Sequence, residues 1–139
     1  MNSNVRPIRE RTPESEKITV NLGYVDLGRI DLMVQEGFYS NRTDFIRTAI
    51  RGQLARHSEE MSRSVERHML ELGVRDFTRT DLEAARDAGE ILHVRVLGLA
   101  RIAPDVAPEL ARATIGSLTV LGALQASAPV KAALADRLL

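Results

Sequence analysis

The sequence predicts a mainly α-helical chain that shares a short β-ribbon with a second copy of itself, carries a long second helix, and ends in a small α/β repeat region. Three observations carry that class. The segment Lys17-Ile18-Thr19-Val20-Asn21-Leu22 alternates like a strand but has no second strand nearby to pair with. Two stretches of helical periodicity follow it, each with its own start and stop signals. From Ile91 the texture becomes small and apolar, and a segment beginning at Val96 is repeated from Val120.

At 139 residues the chain suffices for one ordinary domain, or for two small ones sharing a dimer. Nineteen basic and nineteen acidic residues cancel, so no global field advertises a polyanionic partner. The charges are unevenly spread. Residues 1–57 hold nine Lys/Arg against seven Asp/Glu (+2), residues 58–90 five against nine (−4), and residues 91–139 five against three (+2). An acidic middle between two mildly basic ends is compatible with DNA binding at one end only. The absence of cysteine excludes disulfides, Cys-based zinc sites and a Cys nucleophile. No apolar run approaches the ~20 residues of a membrane span, and Met1 to Glu16 is polar rather than signal-like, so a cytoplasmic protein with no membrane partner is expected. With no Trp and three Phe, the core has to be aliphatic.

Taken in order, residues 1–16 read as a disordered arm in which Arg6, Arg9 and Arg11 are diluted by Glu10, Glu14 and Glu16. In the strand, Ile18, Val20 and Leu22 point to one face and Lys17, Thr19 and Asn21 to the other. A lone strand leaves backbone N–H and C=O groups unpaired, and the economical remedy is a twofold dimer that pairs it antiparallel with its own copy. A helix then runs from Gly23 or Tyr24 to Glu36, with Asp26 at its positive end and Leu27, Ile30, Met33 and Val34 as its buried stripe. Gly37 ends it. Asn41-Arg42-Thr43-Asp44 opens the second helix, with Asn41 as N-cap and Asp44 at N3. That helix buries Phe45, Ile46, Ala49, Ile50 and Leu54.

No Pro or Gly interrupts residues 53–72, and Ser58, Met61, Val65, His68 and Leu72 keep a 3-4 spacing. The second helix is therefore expected to continue as a long dimer extension until Gly73. Residues 58–90 form a helical linker, and Thr80-Asp81-Leu82-Glu83 is a capping box opening a short helix to Ala88. In residues 91–139, Val96-Leu97-Gly98-Leu99-Ala100 aligns with Val120-Leu121-Gly122-Ala123-Leu124, each a strand leading through proline to a helix. The period suits a leucine-rich-type solenoid of parallel strands covered by helices on one side. Two units fall short of the three such a stack normally needs, so self-association is expected here. A ligand-binding regulatory domain is the competing reading.

Residues 17–57 resemble the ribbon-helix-helix family, the CopG/Arc/MetJ type of bacterial transcriptional repressor. The resemblance rests on the alternating strand, the Ile30-Asp31-Leu32-Met33-Val34 segment, Gly37, and the run Tyr39-Ser40-Asn41-Arg42-Thr43-Asp44-Phe45-Ile46-Arg47. Gly23 and Gly28 depart from the commoner pattern. The resemblance implies a homodimer or higher homo-oligomer bound to double-stranded DNA in the bacterial nucleoid. Its ribbon would enter the major groove with Lys17, Thr19 and Asn21 toward base edges. Ser40, Asn41, Arg42 and Thr43 would hold a phosphate at the start of the second helix. Ile18, Val20, Leu22, Ile30, Phe45, Ile46 and Ile50 would form the dimer core.

Chemistry finds little support. His57 and His68 lie roughly 16 Å apart along a helix at 1.5 Å per residue, and no cluster has metal-ligand spacing, so neither metal nor cofactor is expected. No nucleophile elbow, phosphate loop or carboxylate pair suggests an enzyme. The leading expectation is a sequence-specific DNA-binding repressor. The alternatives are the antitoxin of a toxin–antitoxin pair, which a polar disordered tail would have favoured, and a DNA-anchored self-assembling scaffold.

Overall fold

The computed structural model describes residues 14–139 and separates into two units, one ending at Ser58 and one spanning Glu59–Leu139. The basic arm expected around Arg6, Arg9 and Arg11 lies outside the described residues. In the first unit, α1 (Tyr24–Gln35) starts after Gly23 in extended conformation and carries Asp26 in its first turn. It stops at Gly37, whose φ of +86° lets Gly37 N–H reach the Val34 carbonyl and Phe38 N–H the Met33 carbonyl. That is the left-handed helix stop that favours glycine. The second helix, α2 (Arg42–Arg56), follows a short turn.

From the boundary residue Ser58, α3 (Ser58–His68) runs into the second unit and is followed by β1 (Glu71–Phe77), α4 (Arg79–Asp87), β2 (Leu92–Ile102), α5 (Pro108–Thr114), β3 (Ile115–Gln125) and α6 (Ala128–Ala133), with a 3₁₀ turn over Ala135–Arg137. The three strands make one parallel sheet in the order β1-β2-β3. Glu71 stands beside Val96 and Val96 beside Val120, so successive turns of chain stack at a nearly constant repeat. Parallel strands need crossovers. Helices α4 and α5 supply them, and with α6 they cover the sheet.

Between helices and sheet lies the core: Leu82 from α4, Leu110 and Ala111 from α5, Val130 from α6 and Leu134, against Val94, Val96, Ala100, Ile102 and Leu118 from the strands. Leu82, Ile115 and Leu134 have no exposure at all. The alternate strand positions face away from this core, and there Leu72 and Leu121 remain exposed. Across the strands, Arg101 forks onto Asp76 at 2.6 and 3.2 Å, directly opposite it in register, and holds the Asp76 carboxyl below the ordinary carboxylate range. His93 meets Ser117 at 2.8 Å in the same way. Arg112 ties α5 to the final turn through Asp136 at 2.8 Å.

Several expectations need correcting. The chain is mixed α/β with three parallel strands in one sheet, not mainly α with an antiparallel ribbon, and among the described residues Lys17–Leu22 pairs with no strand. The stretch from His57 to Phe77 makes most of the difference. The long second helix does not exist: α2 ends at Arg56, His57 is a turn, and α3 stops at His68. Nothing in the residues around His57 explains that interruption. Met69, at φ +53°, ends α3 in the left-handed conformation, with Leu70 N–H on the Val65 carbonyl. Gly73 is no helix stop but lies inside β1, a third strand–helix repeat where two were expected. The capping box also sits two residues earlier: Thr78 caps α4, accepting from Asp81 N–H while the Asp81 carboxylate accepts from Thr78 N–H, both at 3.1 Å.

Candidate nucleic-acid interface

Among the described residues of the first unit one, Ile30, is buried. Phe45 is partly covered, and its ring meets Tyr39 edge-on with centroids 4.9 Å apart, which anchors the turn to the first helical turn of α2. Ile18 (71% exposed), Val20 (68%), Leu22 (40%), Ile46 (38%) and Ile50 (49%) are bare. A cleft between α1 and α2 is lined by Asp26, Arg29, Ile30, Leu32, Met33 and Phe45. Of the residues expected in a dimer core, then, the single chain brings Ile30 and Phe45 into packing and leaves the others in solvent.

The polar candidates fall into two groups. Lys17, Thr19 and Asn21 are all exposed on the extended segment that leads into Gly23. Ser40, Asn41, Arg42 and Thr43 gather at the start of α2 and are also exposed. Asn41 caps the helix: its Oδ1 accepts from Asp44 N–H at 2.8 Å, and the Asp44 carboxylate accepts from Ser40 N–H at 2.9 Å. Phe45 N–H turns back to the Asn41 carbonyl. The N–H groups of Arg42 and Thr43 find no acceptor among the described residues, which leaves two donors at the positive end of the helix dipole. Such an end suits an anion.

Arg42, expected to contact phosphate, has a partner within the protein. Its guanidinium forks onto Asp31 of α1, Nε to Oδ1 and a terminal nitrogen to Oδ2, both at 2.8 Å. The Arg42 hydrogen bonds hold the Asp31 carboxyl below the ordinary carboxylate range, and Asp31 in turn raises Arg42. A depressed carboxylate contributes its pairing above its unfolded pKa and loses it as pH falls through the lower folded value, so the fork is intact at neutral pH. It joins α1 to the head of α2 and fixes where Arg42 points. Asp31 and Arg42 stand eleven residues apart on different elements, so no local spacing signals the pair.

Asn41→Ala removes the side-chain acceptor for Asp44 N–H. Unfolding by denaturant is expected to show a loss of about 1 kcal/mol, with Asn41→Asp close to the parent.

Among the described residues, no group of three or more His, Asp or Glu side chains is placed to hold a metal ion, and no helix is long and apolar enough to cross a membrane. The model of a ribbon-helix-helix transcriptional regulator family matches residues 13–131, which takes in both units. No curated protein and no solved structure matches the chain.

Proposed function

Because the chain belongs to the ribbon-helix-helix transcriptional regulator family, we propose that it binds double-stranded DNA in a sequence-specific manner, as a homodimer and as a repressor. One observation carries the reading. The segment Lys17–Leu22 is extended and exposed, with no strand beside it among the described residues, and its apolar members Ile18 and Val20 are 71% and 68% bare. Unpaired backbone and bare aliphatic side chains call for a partner surface, and a second copy of the chain satisfies both at once. The alternate side chains Lys17, Thr19 and Asn21 are then free for a major groove. Lys bonds guanine O6/N7, Asn bonds adenine N6/N7, and Thr serves either base or the thymine methyl. The donors at the head of α2 sit on phosphate and set the register, while the extended segment selects sequence.

Genome-wide DNA pull-down followed by motif discovery tests this. A short palindromic or tandem motif is the expected result, and recovery of sequence-random fragments would remove sequence-specific binding. The Asp31–Arg42 fork adds a sharper expectation. With Arg42 held by Asp31, its charge is partly spent inside the protein. Asp31→Asn frees it toward the backbone, and the slope of log affinity against log salt is expected to steepen by about 1. An unchanged slope would show that Arg42 does not reach phosphate.

A further inference from the structure

Gly73, Gly98 and Gly122 form a ladder across β1, β2 and β3, with φ of +123°, +140° and +120°. Two of them answer a need within the chain. A Cβ on Gly98 would lie 2.2 Å from the Gly73 carbonyl oxygen, and one on Gly122 would lie 2.0 Å from that of Gly98. At Gly73 nothing lies within 4 Å of the Cβ position. The Gly73 carbonyl is turned to β2, and so is that of Phe77, which accepts from Ala103 N–H. Backbone groups alternate along a strand, so those of Leu72 and Val74 face the outer edge of β1, where no strand lies among the described residues. Leu72 (78% exposed) and Val74 (52%) are also bare on the sheet face away from the helices. Glu71 and Arg75, on the helix side with Gly73 between them, pair at 3.4 Å. The strand is self-complementary about Gly73: an apolar residue flanks it on each side, then an acid on one side and a base on the other.

We infer that β1 pairs antiparallel with β1 of a second copy, about a twofold axis at Gly73. Leu72 then stands opposite the partner's Val74, and Glu71 opposite the partner's Arg75, on both sides of the axis. Leu72 and the partner's Val74 exchange both of their outward backbone hydrogen bonds. Gly73 and the partner's Gly73 become a non-hydrogen-bonded pair, whose Cα atoms approach to about 4.5 Å. In its mirrored extended form Gly73 would aim a side chain in the plane of the sheet at that approach, so it has to be glycine for the same reason as the other two. An axis perpendicular to the sheet keeps the helices of both copies on one face and joins two three-stranded sheets into one.

Other registers lose this fit. A slip of one residue sets the apolar face of one copy against the helix side of the other. A shift of two sets Leu72 against Asp76 and Arg75 against Gly73, or Glu71 against Gly73 and Arg75 against Met69. Only pairing about Gly73 puts opposite charges face to face, and cross-strand pairs of that kind favour a register while like charges oppose it. The contact is isologous, so it closes at two copies. It uses a strand inside the chain, between α3 and α4, and depends neither on DNA binding nor on the pairing of Lys17–Leu22.

The chain has no cysteine, so introduced thiols report the contact directly. Full chain carrying Leu72→Cys is mixed with full chain carrying Val74→Cys, the folding of each checked by circular dichroism. Oxidised glutathione is expected to link the two into a disulfide-bonded dimer on a denaturing gel, because residues paired at such a site have Cα atoms about 5.5 Å apart. Either variant alone should link far less, since its thiols lie two residues out of register. No link in the mixture, or links formed as readily by one variant alone, overturns the inference. Adding Glu71→Lys to both chains of the mixture, or Arg75→Glu to both, should raise the concentration needed for linkage at least about tenfold, by setting like charges face to face. Glu71→Lys in one chain and Arg75→Glu in the other restores linkage. An ion pair that serves only within its own chain would show no such recovery, and that result overturns the twofold register.

Discussion

Gly98→Ala is expected to unfold most of residues 59–139 under mild denaturant, with a loss of roughly 3–5 kcal/mol. Two costs add. The backbone sits at φ +140°, where an L side chain is strained by about 1–3 kcal/mol. The new methyl would also stand 2.2 Å from the Gly73 carbonyl oxygen, and that oxygen belongs to a paired strand that cannot retreat without parting β1 from β2. Gly89→Ala is the control. Gly89 also has positive φ, at +71°, but nothing lies within 4 Å of its Cβ position, so backbone strain of about 1 kcal/mol is all it should lose. Chemical denaturation followed by far-ultraviolet dichroism separates the two. If Gly98→Ala costs no more than Gly89→Ala, the close approach of strands at the ladder is not what demands glycine.

Replacing Lys17, Thr19 and Asn21 together with alanine is expected to erase preference for the operator while leaving salt-dependent, sequence-independent binding largely in place. Each lost bidentate base contact is worth about 1–3 kcal/mol of discrimination, so loss at Lys17 and Asn21 alone brings specific affinity down toward the non-specific level. The donors at Arg42 and Thr43 are untouched by these substitutions, so the phosphate binding proposed for them is expected to persist. Electrophoretic mobility shift against the operator and against a scrambled duplex measures both quantities at one salt concentration. An operator preference that survives the triple substitution would sink the extended segment as the reading element, whatever the oligomeric state proves to be.

The parts of the fold that were legible from residues alone are those with local causes. Gly37 stops α1 because the left-handed conformation there excludes most side chains, and Asn41 caps α2 because its short amide reaches the N–H three residues on. The sequence repeat that matches Val96 with Val120 corresponds to the β2–β3 register. The stretch from His57 to Phe77 was not legible. Met61, Val65, His68 and Leu72 keep helical spacing, but the helix ends after the third of them. In β1 one residue, Phe77, is buried, so no apolar alternation announces a strand. Its neighbour in space decides it: β2, beyond an intervening helix, supplies the hydrogen bonds and accepts the Gly73 carbonyl beside Gly98.

At the candidate interface the division is the same. The residue types at Lys17, Thr19 and Asn21 and at the head of α2 were readable as groups suited to bases and phosphate, because that chemistry belongs to the side chains themselves. The fork of Arg42 onto Asp31 was not, since it joins two elements whose separation in sequence carries no spacing rule. By itself the sequence determined helix ends, the alternation of Lys17–Leu22, and a periodic C-terminal region. Only the tertiary structure decided that this region has three parallel strands, that the chain is therefore mixed α/β, and that its glycines interlock through carbonyls. The physical reason is that caps and turns are satisfied within a few residues, whereas a parallel strand takes its hydrogen bonds and its room from chain that lies far away in sequence.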